Sequence, residues 1–249
     1  MVKPTTTHFG FTNISWEKKK HKVTEVFNSV ANKYDLMNDL MSFGMHRLWK
    51  KVALQKIAAR PDDVILDLAG GTGDLSLSLS KKIGKSGKII LADINQSMLQ
   101  LGRDKMVEHG IIKQVSYLLA DAENLPLCSN SLDGIIIAFG LRNLTDKSAA
   151  LNEMYRVLKP SGKVTILEFS TVTNPNIETL YNFYSFNILP KIGKLVVNDA
   201  DSYTYLAESI KMHPNQEELQ LLMQQANFEE CSFQNLSFGI TAIHTGYKF

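Results

Sequence analysis

Asp67, Asp93 and Asp121 each stand at the end of an apolar, strand-like run, in "ILDLAGGTGD", "LADINQSML" and "ADAENLP". Behind the first of them, Gly70, Gly71 and Gly73 let backbone approach a ligand closely, and Asp74 opens the next helix. Such a bend suits an adenosine-type ligand at the carboxyl end of a strand. At the second strand end, the two oxygens of Asp93 can accept both hydroxyls of a ribose. At the third, Asp121 can accept from an adenine amino group, while Ala122 offers a backbone N–H to the ring. Taken singly, the glycine turn is weak evidence, and Asp121 is equally a turn former or a helix cap. Together, Asp67, Gly71, Gly73, Asp93 and Asp121 describe a nucleoside cradle.

The ligand need not be a dinucleotide. The corresponding fingerprint, G-x-G-x-x-G, fails because Ser76 stands where its third glycine belongs, and no lysine follows as a phosphate loop requires. Asp93 alone does not discriminate, since a dehydrogenase would carry the same acid. Asp67, where a carboxylate can organise the loop and meet a cationic amino-acid group, and Asp121 after the third strand carry the discrimination. That combination favours S-adenosylmethionine, and methyl transfer from it needs no metal.

These residues require a framework that presents successive strand ends side by side. The chain supplies alternation: "DVILDLA", a helix from about Asp74 to Lys82, "GKIILADI", a helix from about Ser97 to His109, "VSYLLAD", "LDGIIIAFGL", a helix from about Lys147 to Leu158, and "KVTILEF". Apolar strands flanked by glycine and polar turns predict an α/β fold with a mainly parallel sheet covered on both faces. Pro160, Ser161 and Gly162 are expected to turn the chain from helix back to strand. Helical spacing of Val23, Val26, Phe27 and Val30 predicts an amphipathic helix within an N-terminal helical cover, residues 1–50. The domain proper, 51–249, carries an aromatic-rich insertion at about 171–213. Within it "IETLYNFYSFNILPKIGKLV" is interrupted by Pro190; it suits a lipid-accepting groove or lid, or ordinary core and dimer interface. A helix from about Gln216 to Ala226 and two strands joined through Gly239 complete the chain as antiparallel edge strands.

Composition narrows the function. In 249 residues, 44% hydrophobic, 27 Lys and Arg balance 25 Asp and Glu, so no general nucleic-acid binder is indicated. Cys128 and Cys231 are far apart and form neither a disulfide framework nor a paired metal motif. Neither a secretory signal nor an apolar run near the ~20 residues of a membrane span is present, and a reducing cytoplasm is the expected location. "EKKKHK", Glu17 to Lys22, is the densest basic cluster and suits either anionic lipid or a solvated helix face.

Over nearly its whole length the chain resembles the bacterial and mitochondrial C-methyltransferases of ubiquinone and menaquinone biosynthesis. The resemblance rests on "YDLMNDLMSFGMHRLWK", "LDLAGGTGD", "FGLRNLTDKSAALNEMYRVLKPSGKVTILEF", "NDADSYTYLAESIKMHP" and the final "GYKF". It implies a Rossmann-like, class I S-adenosylmethionine-dependent fold with a seven-stranded sheet. It also implies a polyprenylated benzoquinol substrate and, in many bacteria, demethylmenaquinol. The family's cofactor positions carry over to Thr72, Asp93, Asp121 and Ala122. Two departures stand out: Ala138 where serine is common, and Ser161 where glycine is usual.

The implied reaction moves a methyl group from sulfonium to an aromatic carbon, which requires the electron-rich quinol rather than the electrophilic quinone. The enzyme must align the reacting atoms and help a phenolic proton leave. Arg142 and Asn143 in "GLRN" follow the fourth strand and are candidates for that help, Arg142 as a phenolate stabiliser or as a loop anchor. Tyr34, Asp35, Asn38, His46 and Arg47 form a second group that can close over substrate, with His46 titrating in a useful range. Asp199, Asp201, Tyr203 and Tyr205 form a third. Contact with a membrane face or a quinone-synthesis assembly, and a homodimer, accompany this reading. Methylation of another lipophilic or phenolic metabolite, and a non-catalytic scaffold, are the competing ones.

Overall fold

The computed structural model describes residues 6–30, 34–197 and 200–249. The chain opens with an antiparallel hairpin, β1 (Thr6–Phe9) and β2 (Thr12–Ser15), followed by helices α1 (Trp16–Val30), α2 (Tyr34–Ser42) and α3 (His46–Lys56). Then come β3 (Val64–Leu68), α4 (Asp74–Ser80), β4 (Lys88–Asp93), α5 (Gln96–Glu108), β5 (Val115–Leu119), β6 (Leu132–Ala138), α6 (Lys147–Val157) and β7 (Leu158–Phe169). Three helices follow, α7 (Pro175–Phe183), α8 (Leu189–Val197) and α9 (Ala200–Lys211). The last elements are α10 (Gln216–Gln225), β8 (Glu229–Leu236) and β9 (Thr241–Tyr247).

Strands β3 to β9 form one sheet in the order β5-β4-β3-β6-β7-β9-β8. The first five run parallel, and β9 enters antiparallel between β7 and β8. The order reverses beside β3, so β3 and β6 part their loops over a crevice at their carboxyl ends. Alternate side chains of β3 feed two cores. Ile65 joins Trp49, Leu79, Leu91 and Met106 on one face, while Leu66 and Leu68 join Ile135, Leu151 and Met154 on the other. Asp67 shares the face of Ile65 by the two-residue period of a strand, which buries its carboxylate completely.

Helix starts follow local chemistry. Asn95, Asp146 and Asn174 accept backbone N–H groups at the N-termini of α5, α6 and α7, and Asn215 with Glu218 forms a reciprocal capping box on α10.

Three expectations change. The cover is not wholly helical, because "TTHF" and "TNIS" pair as a hairpin, and α3 runs across the boundary placed at residue 50. Pro160–Gly162 do not form a turn outside the strand: β7 already begins at Leu158 and passes through them irregularly. Ser161 takes φ +66 there, with its N–H donating to the Lys248 carbonyl at 2.6 Å. Nor does Pro190 break its helical run. It lies in the first turn of α8, directly after a π turn at Tyr184–Ile188. Proline offers no N–H to the carbonyl four residues back, and the wider turn accommodates that loss.

Candidate active site

The loop after β3 is tied to the next strand. Gly70 N–H donates to the Ala92 carbonyl at 3.0 Å, and Gly71 N–H donates to Asp93 Oδ2 at 2.9 Å. Asp93 Oδ1 accepts Asn95 N–H at 2.8 Å, so each oxygen keeps a lone pair for a further donor. A Cβ on Gly70 would come within 2.3 Å of Leu91 and 2.8 Å of Asp67, and Gly71 stands at φ +54, so the close approach needs glycine at both. Gly73 caps α4 in the left-handed region at φ +78.

Asp67 Oδ2 accepts both the N–H and the hydroxyl of Ser76, at 2.9 and 2.7 Å. Its Oδ1 is buried and has no hydrogen-bond partner among the described residues. Burial pushes both Asp67 and Asp93 up to about 6, against the hydrogen bonds that favour their anions. Asp74 behaves oppositely: Lys50 and Lys105, at 2.8 and 2.7 Å, overcome burial and hold its carboxyl well below the usual range.

Two cavities meet at Ala69. The larger is bordered by Gly71, Asp93, Asp121, Phe139, Gly140 and Asn143 and roofed by Lys20, Val23, Thr24 and Phe27 of α1. The smaller holds Asp67, Gly70, Thr72, Ala138 and the Lys50 side chain. Lys20 Nζ reaches Asp121 Oδ2 at 2.5 Å and Glu123 Oε2 at 3.1 Å, which pins α1 across the larger cavity. Lys19 donates to the Leu144 carbonyl at 3.0 Å, and burial together with Lys147 lowers its ammonium to about 7. Asn95 Nδ2 donates to Asn28 Oδ1 at 2.9 Å from the other end of the roof.

These residues fit S-adenosylmethionine. The unpartnered oxygen of Asp67 matches an ammonium, the glycines leave a cradle that any Cβ would fill, and Asp93 keeps acceptor capacity for a diol. Asp121 Oδ1 accepts Glu123 N–H at 3.0 Å, so an adenine amino group would share Oδ2 with Lys20.

Of the residues singled out in the sequence, Asp67, Gly71, Thr72, Asp93, Asp121, Ala138 and Asn143 border these cavities. Gly73 caps α4 beside Leu91, Met106 and Gly102, and Ala122 is buried next to Asp121. Arg142 lies behind the wall: its guanidinium donates to Glu168 Oε1 at 2.8 Å and to the Phe139 carbonyl at 2.5 Å, and its backbone N–H donates to Glu168 Oε2. Asn143 Oδ1 accepts the Tyr205 hydroxyl at 3.0 Å. His46 lies 2.8 Å from Asp39 Oδ1 and borders a separate cavity shared with Arg47, Lys50 and Asp74. Burial lowers its pKa despite Asp39, which Arg47 above all holds at about 2. The side chains of Tyr34, Asp35 and Asp199 lie outside the described residues.

Sequence reasoning missed Lys20, Lys50, Gly102 and Phe139. The signal for Lys20 was present, since positions 20, 23, 24 and 27 share a helical face. Gly102 carried none: its place against the loop, where a Cβ would stand 2.8 Å from the Gly71 carbonyl, is visible only in the fold.

The chain is similar over nearly its whole length to known proteins. The model of the ubiE/COQ5 methyltransferase family matches residues 15–248. The Haemophilus ducreyi ubiquinone/menaquinone biosynthesis C-methyltransferase UbiE is 55% identical over 98% of this chain and 94% of its own. The Legionella pneumophila (strain Corby) protein of the same name is 54% identical over 98% of each. Among solved structures, a SAM-dependent methyltransferase from Aquifex aeolicus superposes with TM-score 0.60 at 19% identity, covering 89% of this chain and 98% of that one.

Proposed function

The chain belongs to the ubiE/COQ5 methyltransferase family, and from that premise we infer that it is an S-adenosylmethionine-dependent C-methyltransferase of ubiquinone and menaquinone biosynthesis. Its substrate on this reading is a polyprenylated quinol, 2-methoxy-6-polyprenyl-1,4-benzoquinol or demethylmenaquinol, met in the cytoplasm at the inner membrane face. The observation that carries the reading is the placement of Asp67, Asp93 and Asp121 at successive strand ends around two joined cavities.

When bound, the cofactor supplies a methyl group made electrophilic by its sulfonium. Asp93 would take the ribose hydroxyls and Asp121 the adenine amino group, while Asp67 and Lys50 would hold the amino and carboxylate ends of the methionine portion. Phe139 and Gly140 form the wall beside Ala69, where the two halves meet. On the acceptor side, Asn143 borders the cavity and is oriented by the Tyr205 hydroxyl.

Arg142 is already paired with Glu168 in a buried site, so its first task is to hold the "GLRN" turn in register. Direct contact with a phenolate would require that pair to reorganise, because leaving Glu168 unpaired in the interior is costly. His46 is held by Asp39 at the separate cavity it shares with Arg47 and Lys50. For the chemistry to close, the phenolic proton would leave as the ring carbon takes the methyl group and the S–CH3 bond breaks to leave S-adenosylhomocysteine; the resulting dienone would then lose its ring proton and regain one on oxygen, so that a single proton is released overall.

The test uses purified full-length protein, methyl-labelled S-adenosylmethionine and a demethylated quinol with a short prenyl chain, kept reduced or oxidised. Label is expected on a ring carbon in the reduced arm alone. Equal labelling of the quinone, or no ring labelling with an otherwise cofactor-binding protein, overturns the assignment.

A further inference from the structure

Phe43, at the tip between α2 and α3, stands at φ +50 and leaves 75% of its surface exposed. A bulky residue rarely adopts that backbone, and here the conformation holds an aromatic ring out into water. Its ring meets Tyr184 of the π turn at 4.6 Å between centroids, and Phe11 of the β1–β2 hairpin meets Phe186 of the same turn at 6.2 Å. Along the adjoining helices, Leu180 and Phe183 are 70% and 57% exposed, and Ile188 is also exposed. Three separate elements therefore bring uncovered apolar groups around one π turn.

The rim of this surface is basic. Lys191 and Lys194 are exposed on α8, and Lys51 is exposed on α3, one turn from the exposed Leu48. Of the nearby acids, Glu178 pairs with Lys211 at 3.1 Å and Asp39 with Arg47 at 2.7 Å, while Glu208 Oε2 accepts the Phe11 N–H at 3.1 Å.

We propose that this face docks the protein on an anionic lipid bilayer, with Phe43, Phe183 and Leu180 entering the interface and Lys51, Lys191 and Lys194 meeting the headgroups. Apolar anchors beside lysines are what an interfacial surface requires. A second copy of the chain would bring the same positive rim against itself, which disfavours self-pairing. The surface also lies close to the chemistry: α3, which carries Leu48 and Lys51, packs Trp49 against the cavity-wall residue Phe139 at 6.3 Å. The proposal deepens the reading of a lipid-dissolved quinol, and its test needs no quinol.

Flotation of the full chain with phosphatidylcholine vesicles, with and without phosphatidylglycerol, measures the docking directly. Binding to the anionic vesicles alone is expected, falling with added salt. Phe43→Ser together with Phe183→Ser should weaken it about tenfold or more, with labelling of a short-chain quinol unchanged. Phe43→Trp, which keeps an apolar anchor, should show tryptophan quenching by brominated acyl chains. Absence of anionic-vesicle binding or of that quenching overturns the proposal, as does a self-association in sedimentation equilibrium that Phe43→Ser abolishes. Docking without ring methylation of any quinol would sink the substrate reading and leave the surface standing, and ring methylation without docking would do the reverse.

Discussion

Asp93 is held in a conflict between burial and recognition. Desolvation pushes its carboxyl up to about 6, yet accepting two ribose hydroxyls calls for the anion. The same holds for Asp67 and an ammonium. For both acids the folded pKa lies above the unfolded value of about 4. Their contribution to stability is therefore present below that value and is lost as pH rises through about 6. Cofactor binding should run the other way, weakening as pH falls from 7 to 5, while Asp67 and Asp93 stabilise the apoprotein across that window. Calorimetric titrations at several pH values check this. Asp93→Asn should cost roughly 10- to 100-fold in affinity and flatten the profile, and a pH-independent wild type would contradict the assignment. The strand-end acids were legible in the sequence because each sits at the end of an apolar run. The helical face of Lys20 was legible too, but its role was not, since its partner Asp121 lies 101 residues away and a run of lysines looks solvated.

At the level of elements, the glycine loop is shaped as much by α5 as by its own residues. Gly102 sits at the middle of that helix, and a Cβ there would lie 2.8 Å from both the Gly71 carbonyl and Leu91. Backbone cannot move aside as a side chain can. Gly102→Ala gains helix propensity but must displace the loop that holds Asp93. We expect cofactor affinity to fall about tenfold or more while the far-UV spectrum is retained; equal affinity, measured by titration, would show that the loop yields freely. Helices α4, α5, α6 and α10 were legible to within two residues at each end, and in the last three a capping Asn or Asp marks the start. The β1–β2 hairpin was not, since four-residue polar strands carry little alternation. The π turn was hidden as well: Pro190 marks an interruption, but not that the helix absorbs it by widening.

For the molecule as a whole, the sheet supplies the floor of the site and the chain's first helix supplies the roof. The mainly parallel character of the sheet and its antiparallel end followed from the strand and helix patterns, whereas the strand order came only with the fold. So did the roof, because its placement depends on contacts between α1 and loops a hundred residues later. Lys20 bridges Asp121 and Glu123, and it can release the first while keeping the second. Lys20→Ala should therefore loosen α1 and speed cofactor release several-fold, with little change in the association rate. Stopped-flow displacement measures both constants, and release at an unchanged or slower rate would remove Lys20 from this role.

A helix that closes over adenosine also confines what is left after methylation. S-Adenosylhomocysteine carries the same adenosine and must wait for the same opening, so turnover should be governed by its departure rather than by bond making. Rapid-quench experiments should then show a first turnover faster than all later ones, with an amplitude matching the enzyme sites, and the spent nucleoside should be a strong inhibitor in the steady state.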